Sequence, residues 1–189
     1  MSTYKAKPLI PEIYNEIESH LSAIQLAHSK ILPMRIDFSY KKTSHSFHNH
    51  RIDIALEDIQ IFMTMVLLRT VAIGYFWVME YTRGSGYHFH AILYANGQEH
   101  QKPYPIAMDV MKLWEEQTSG EGRCYLVKRN ASYFHVDGLQ MLRHGDINQR
   151  NNLLLALSYF AKTEQKEMGL YYGMNTITQP SGRGRPRKG

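Results

Sequence analysis

Residues 79–94 read MEYTRGSGYHFHAILY, and the fold follows from how this stretch is divided. Strand-like, aromatic-rich composition from Tyr75 to Tyr81 gives way to Arg83, Gly84, Ser85 and Gly86, which carry turn chemistry. Strand composition then resumes from Tyr87 to Tyr94 and ends before Asn96 and Gly97. The spacing predicts a β-hairpin. His88 and His90 are two residues apart, so on a strand both imidazoles leave the same face, with Phe89 and Ala91 on the other. Glu80 lies eight residues before His88. A turn with an odd number of residues, 83–85, sets Glu80 opposite His88, whereas an even four-residue loop points Glu80 away from both imidazoles. Under the odd register, Glu80, His88 and His90 form a candidate metal-ligand set. Nitrogen and oxygen donors of this kind suit Mg²⁺ or Mn²⁺ and could also hold Zn²⁺. A lone HxH would more simply be two surface histidines; the acidic partner at hairpin distance shifts the balance toward a metal.

Working outward, residues 32–40, LPMRIDFSY, alternate Met34, Ile36 and Phe38 with Arg35, Asp37 and Ser39, the period of a half-buried strand. The polar segment 41–50, KKTSHSFHNH, is expected to be a loop, and its literal HNH at His48, Asn49 and His50 carries no nuclease signal of its own. From Asp53 to Val71 apolar residues recur at helical spacing and stop near Gly74. Pro103 and Pro105 introduce another helix to Gln117, with Met108, Val110, Met111 and Trp114 on its apolar side. Short strands are expected at 125–128 and 132–136, and a final helix at 150–166. Before all of these, Pro11 opens a helix bearing Ile13, Ile17, Leu21, Ile24 and Leu26. The order strand, helix, strand, strand, helix, strand predicts an α+β, ferredoxin-like antiparallel sheet with helices on one face, extended by a helix at each end. The expected divisions are an N-terminal helical extension (1–31), a central domain (32–172) and a basic tail (173–189). Several helices and the absence of a following acidic ligand near Tyr94 and Ala95 argue against a cupin barrel, which also uses HxH with a glutamate.

In the final predicted helix Tyr159 and Lys162 stand at i and i+3, one turn apart on one face. A tyrosine attacking a phosphodiester needs positive charge nearby, because its phenol ionises only near pH 10 and charge builds on the phosphate oxygens. With 13 tyrosines in the chain, such a pair taken alone equally describes a core-edge tyrosine beside a solvent-facing lysine.

Composition allows one core-forming domain: 189 residues, 43% hydrophobic and 21% charged, with 10 histidines. The net charge is +5, and Arg183, Arg185, Arg187 and Lys188 supply four of those charges in the last seven residues. The segment 181–189, SGRGRPRKG, has an Arg-Gly-Arg-Pro core that resembles an AT-hook. Glycine and proline keep it extended, so that arginines can enter a narrow A·T-rich minor groove. A solubilising tail is the plainer alternative. The single cysteine, Cys124, excludes an internal disulfide framework, and the N-terminal residues lack a signal-peptide apolar run. A cytoplasmic protein is expected, with no membrane association.

An acidic residue eight positions before HxH, followed much later by helical YxxK, resembles the HUH endonucleases that initiate rolling-circle replication. The likeness is carried by MRIDFSY (34–40), MEYTRGSGYHFHAILY (79–94) and LSYFAK (157–162), in that order. Within the superfamily it looks like the replication proteins of filamentous phages and prophages, the inovirus gene-two-protein family. The resemblance implies that Glu80, His88 and His90 hold Mg²⁺ or Mn²⁺ against the scissile phosphate. It further implies that Tyr159 becomes linked to the 5′ phosphate and that Lys162 helps place it. Single-stranded origin DNA would be the substrate, with A/T-rich duplex bound by Arg183, Arg185, Arg187 and Lys188, and host helicase and polymerase as further partners. Phe160 beside Tyr159 disfavours a two-tyrosine mechanism on that helix. Arg35 to Ser39 match the early family motif only loosely, and no catalytic residue is assigned there. The rival expectation is a non-catalytic DNA-binding regulator on the same scaffold.

Overall fold

Eleven-residue strands dominate the centre of the molecule. The computed structural model describes residues 8–128, 136–164 and 168–178. In chain order they form α1 (Pro11–Ala27), β1 (Lys30–Tyr40), α2 (His45–Asn49), α3 (Ile52–Arg69), β2 (Ala72–Thr82), β3 (Gly86–Asn96), α4 (Pro103–Gln117), β4 (Gly122–Leu126), β5 (Leu142–Arg143), α5 (Ile147–Leu157) and β6 (Tyr172–Met174). A 3₁₀ turn, Ser158–Ala161, continues directly from α5.

The sheet runs β4-β1-β3-β2-β6, with β5 also pairing to β1, and every pairing is antiparallel. The inner four strands have the 4-1-3-2 order of a ferredoxin-like α+β fold, as the element order predicts. Strand alternation sends Met34, Ile36 and Phe38 of β1 and Phe89, Ala91 and Leu93 of β3 to one face. There they meet Ile59, Phe62 and Val66 of α3 and Val110 and Trp114 of α4, forming the larger core cluster. The two helices of the ferredoxin-like unit thus share one face. The opposite face is covered in part by the added helices: Ile13, Ile17, Leu21 and Ile24 of α1, and Leu153, Leu154 and Leu157 of α5, pack on Phe76, Val78, Ile92 and Tyr94. Leu26, expected on the apolar stripe of α1, is instead exposed.

Several expectations change. The segment 41–50 is not all loop: Ser44 caps α2 by accepting from the Phe47 N–H, and the Glu121 carboxylate accepts from the backbone N–H groups of His45 and Ser46 and from the Ser46 hydroxyl. His50 lies at its end, 2.9 Å from Asp58, which also accepts from the Tyr40 hydroxyl. The final helix ends at Leu157 rather than near Lys166. Its continuation is captured by the N-terminal segment: the Ile10 N–H donates to Ala161 O at 2.7 Å, the Thr163 N–H donates to Pro8 O, and Leu9 bridges Lys162. These bonds draw Lys162 into extended backbone, with φ −60° and ψ 146°. The strands β5 and β6 were not anticipated. The strand expected at 132–136 and the basic segment with Arg183, Arg185, Arg187 and Lys188 fall, wholly or nearly so, outside the described residues.

Candidate metal centre

The β2–β3 hairpin turns through Arg83, Gly84 and Ser85, with Thr82 paired to Gly86. The turn therefore has three residues, the odd number that the ligand set requires. Gly86 adopts φ +66°, and a Cβ there would press on the Phe47 ring at 3.0 Å, so glycine meets both the backbone and the packing demand. Glu80 is consequently the direct partner of His88, and His90 follows on the same face opposite Val78.

The ligand atoms of Glu80, His88 and His90 all lie within 4.8 Å of one another. Glu80 Oε2 is 3.5 Å from His88 Nε2 and 3.3 Å from His90 Nε2. Both rings are turned by their other nitrogen. His88 Nδ1 is 3.1 Å from the Gly86 carbonyl, which can only accept, so Nδ1 carries a proton and in the neutral ring Nε2 bears the lone pair. His90 Nδ1 is 2.9 Å from Asp37 Oδ1. Burial pushes the Asp37 carboxyl up, but the hydrogen bond from His90 and the charge of Arg35 outweigh it and hold it below the usual carboxylate range. An ionised Asp37 accepts the Nδ1 proton, so that in the neutral ring Nε2 is the atom available to a metal. The approach of Arg35 Nη2 to His90 Nδ1, 3.4 Å, then sets donor against donor and contributes no bond. His90 Nε2 is buried without a hydrogen-bond partner among the described residues. Two imidazole lone pairs and a carboxylate converging in this way fit a divalent metal, and the group could bind one.

Asp37 and Arg35 were not identified from sequence as part of the site. Their positions follow from the β1–β3 register, in which Asp37 pairs with His90 and Arg35 with Ile92. The alternation of residues 34–39 placed them together on one face; only the pairing of that strand beside β3, rather than elsewhere, brings that face to the histidines. Arg35, 5% exposed, grips Asp37 through Nε at 3.2 Å and Nη2 at 3.3 Å.

Tyr159 and Lys162 also arrive here, across the sheet face from the hairpin. The Tyr159 ring stands edge-on to His90 with centroids 5.2 Å apart, and the Arg35 guanidinium lies 4.4 Å from its centroid. Lys162 Nζ lies 3.8 Å from the same centroid and 3.2 Å from Glu80 Oε2. Lys162 is thus a buried cation between the aromatic ring and the carboxylate, rather than the next turn of a helix. Its extended backbone is what lets it lie there.

The chain matches no protein-family model, no curated protein and no solved structure. Among the described residues no helix is long and apolar enough to cross a membrane.

Proposed function

We propose that the chain is a metal-dependent single-strand DNA endonuclease that initiates rolling-circle replication through a covalent phosphotyrosine. The observation that carries this reading is the convergence of Tyr159 and Lys162 on the Glu80–His88–His90 group, with Arg35 beside the tyrosine ring. A nucleophile, two cations and a three-donor set meet at one place, although the sequence separates the hairpin from Tyr159 by about seventy residues.

In this reading Tyr159 Oη forms a bond to phosphorus while the bond from phosphorus to the 3′ oxygen breaks. The phenolic proton is given up and the released 3′ oxygen ends protonated, so the number of phosphodiester bonds is conserved. Glu80, His88 and His90 would hold Mg²⁺ or Mn²⁺, which when bound polarises the scissile phosphate. Lys162 and Arg35 add positive charge where the phosphate oxygens become more negative, in a site that already excludes most water. Asp37 keeps the His90 ring in the tautomer a metal needs. Arg183, Arg185, Arg187 and Lys188 would bind A/T-rich duplex.

Incubation with single-stranded origin DNA and Mn²⁺, followed by a denaturing gel, tests the proposal. The protein should become covalently attached; Tyr159→Phe should abolish attachment while retaining DNA binding, and the double variant His88→Ala, His90→Ala should abolish cleavage. Full attachment by Tyr159→Phe would remove Tyr159 from the mechanism. Deleting residues 181–189 should weaken duplex binding and reduce its salt dependence.

One observation favours the second reading, a DNA-binding regulator without nicking activity. The Lys162 ammonium already neutralises Glu80 at 3.2 Å, so the buried carboxylate has a counter-charge with no metal. Absence of Mn²⁺ binding by calorimetry, together with retained DNA binding, would select that alternative.

A further inference from the structure

The sheet face that bears the metal-ligand group continues past it to the β4 edge. The register aligns Glu80, His88, Ser39 and Arg123 in one cross-strand row, and Val78, His90, Asp37 and Tyr125 in the next. Side chains paired directly across antiparallel strands share a face. Cys124 and Leu126, which alternate with them, belong with the opposite cluster under α4, and this confirms the parity. While α1 and α5 cover the β2 side of this face, its β4 side is open: Tyr125 is 55% exposed, and Arg123 is exposed as well. Among the described residues Arg123 and Tyr125 have no salt bridge, side-chain hydrogen bond or ring contact.

We propose that Tyr125 and Arg123 form a track that receives single-stranded DNA beside the Glu80–His88–His90 centre, Tyr125 stacking a base and Arg123 pairing with a backbone phosphate. The proposal rests on the nuclease reading for the identity of its ligand. Strand spacing places these residues roughly 10 Å from the imidazoles, two strands away, which suits nucleotides flanking the one at the centre. An exposed aromatic face next to an arginine is the pairing that takes up single strands irrespective of sequence. The charge of the strip is complementary to such a chain. The acidic groups on this side are engaged elsewhere: Asp37 is held by Arg35 and His90, and Glu121 accepts from the N–H groups of His45 and Ser46. Lys128, exposed just beyond β4, adds a further cation.

Binding of a fluorescein-labelled oligothymidylate, followed by anisotropy in EDTA, tests the track separately from catalysis. Tyr125→Ala should weaken binding about 5- to 150-fold, the range expected for one lost base stack of ~1–3 kcal/mol, and Tyr125→Phe should restore it. Arg123→Ala should lower the slope of log affinity against log salt by about 0.7, the loss of one phosphate contact on a single strand. Both side chains are exposed, so unchanged melting temperatures are expected. Affinity within twofold of the native protein for Tyr125→Ala would overturn the track while leaving the nuclease reading intact. No binding of oligothymidylate by the native protein would overturn both. Unaltered DNA affinity accompanied by dimers that Tyr125→Ala dissolves would assign the β4 edge to a second polypeptide strand instead.

Discussion

Replacing Lys162 by methionine should tighten metal binding while sharply reducing strand cleavage. In the structure Lys162 Nζ lies 3.2 Å from Glu80 Oε2, with the two side chains only 3% and 0% exposed. Removing one member of so buried a pair leaves the other charge stranded, at a cost of about 3–5 kcal/mol. For a domain of this size that corresponds to a fall in melting temperature of roughly 6–20 °C in EDTA. A divalent ion seated on the same carboxylate would meet the ammonium at roughly 5 Å, and at an effective dielectric near 20 the repulsion is about 7 kcal/mol before any relaxation. Lys162 can swing aside and relieve most of it. Even so, the methionine variant should bind Mn²⁺ at least about tenfold more tightly, ~1.4 kcal/mol. Titration calorimetry gives the affinity, and thermal melts with and without Mn²⁺ should show a larger metal-induced rise for the variant than for the native protein, because ligand binding to the folded state stabilises it by mass action. Strand cleavage should fall sharply, since one of the two cations beside Tyr159 is gone and only Arg35 remains. Mn²⁺ affinity equal to or weaker than that of the native protein would refute the reasoning and assign Lys162 to supporting the ligand geometry.

Asp37→Asn keeps the shape of the group that orients His90 but not its charge, and Mn²⁺ affinity measured by calorimetry should drop about 10- to 100-fold; an unchanged value would show that His90 is oriented by packing alone. Burial lowers the pKa of His20 below its usual value, against the opposing hydrogen bonds to Asn175. The unfolded chain then binds the proton more readily, so the stability contributed by neutral His20 is complete above about pH 6.5 and declines as pH falls below it. Melting temperatures of the native protein should therefore fall more steeply from neutral to mildly acidic pH than those of His20→Gln, and parallel curves would exclude His20 as the source. Gly122→Ala would place a Cβ 2.5 Å from Trp114 Cδ1 and from Thr118 Oγ1; overpacking of this kind costs about 1–3 kcal/mol. A lowered melting temperature with unaltered Mn²⁺ affinity is expected, because the clash lies on the α4 side of the sheet.

The hairpin was the most legible part of the molecule, and for a local reason. A two-residue period fixes which side chains share a face, and Arg83, Gly84, Ser85 and Gly86 supply the turn, so Glu80, His88 and His90 needed only the parity of one loop to become a set. The packed helical stripes were legible in the same way: Ile59, Phe62 and Val66 are spaced as an α-helix buries them. Lys162 was not. Residues 157–162 have the composition of a continuing helix, and their local pattern contains no sign that Pro8 to Ile10 would take up the backbone groups of Ala161 and Thr163 and stop it. Asp37 and Arg35 lay in a correctly anticipated strand, yet their role depends on which neighbour that strand chooses. Sequence by itself determined the periods, the place of the turn and the three candidate ligands, while the observed pairing of Thr82 with Gly86 supplied the odd turn that makes them a set. Tertiary structure alone decided that β1 lies beside β3, that Asp37 therefore orients His90, and that a distant segment delivers Tyr159 and Lys162 to Glu80. Periodicity is written in neighbouring residues, whereas pairing between strands and the capture of a helix end arise from contacts between segments far apart in the chain.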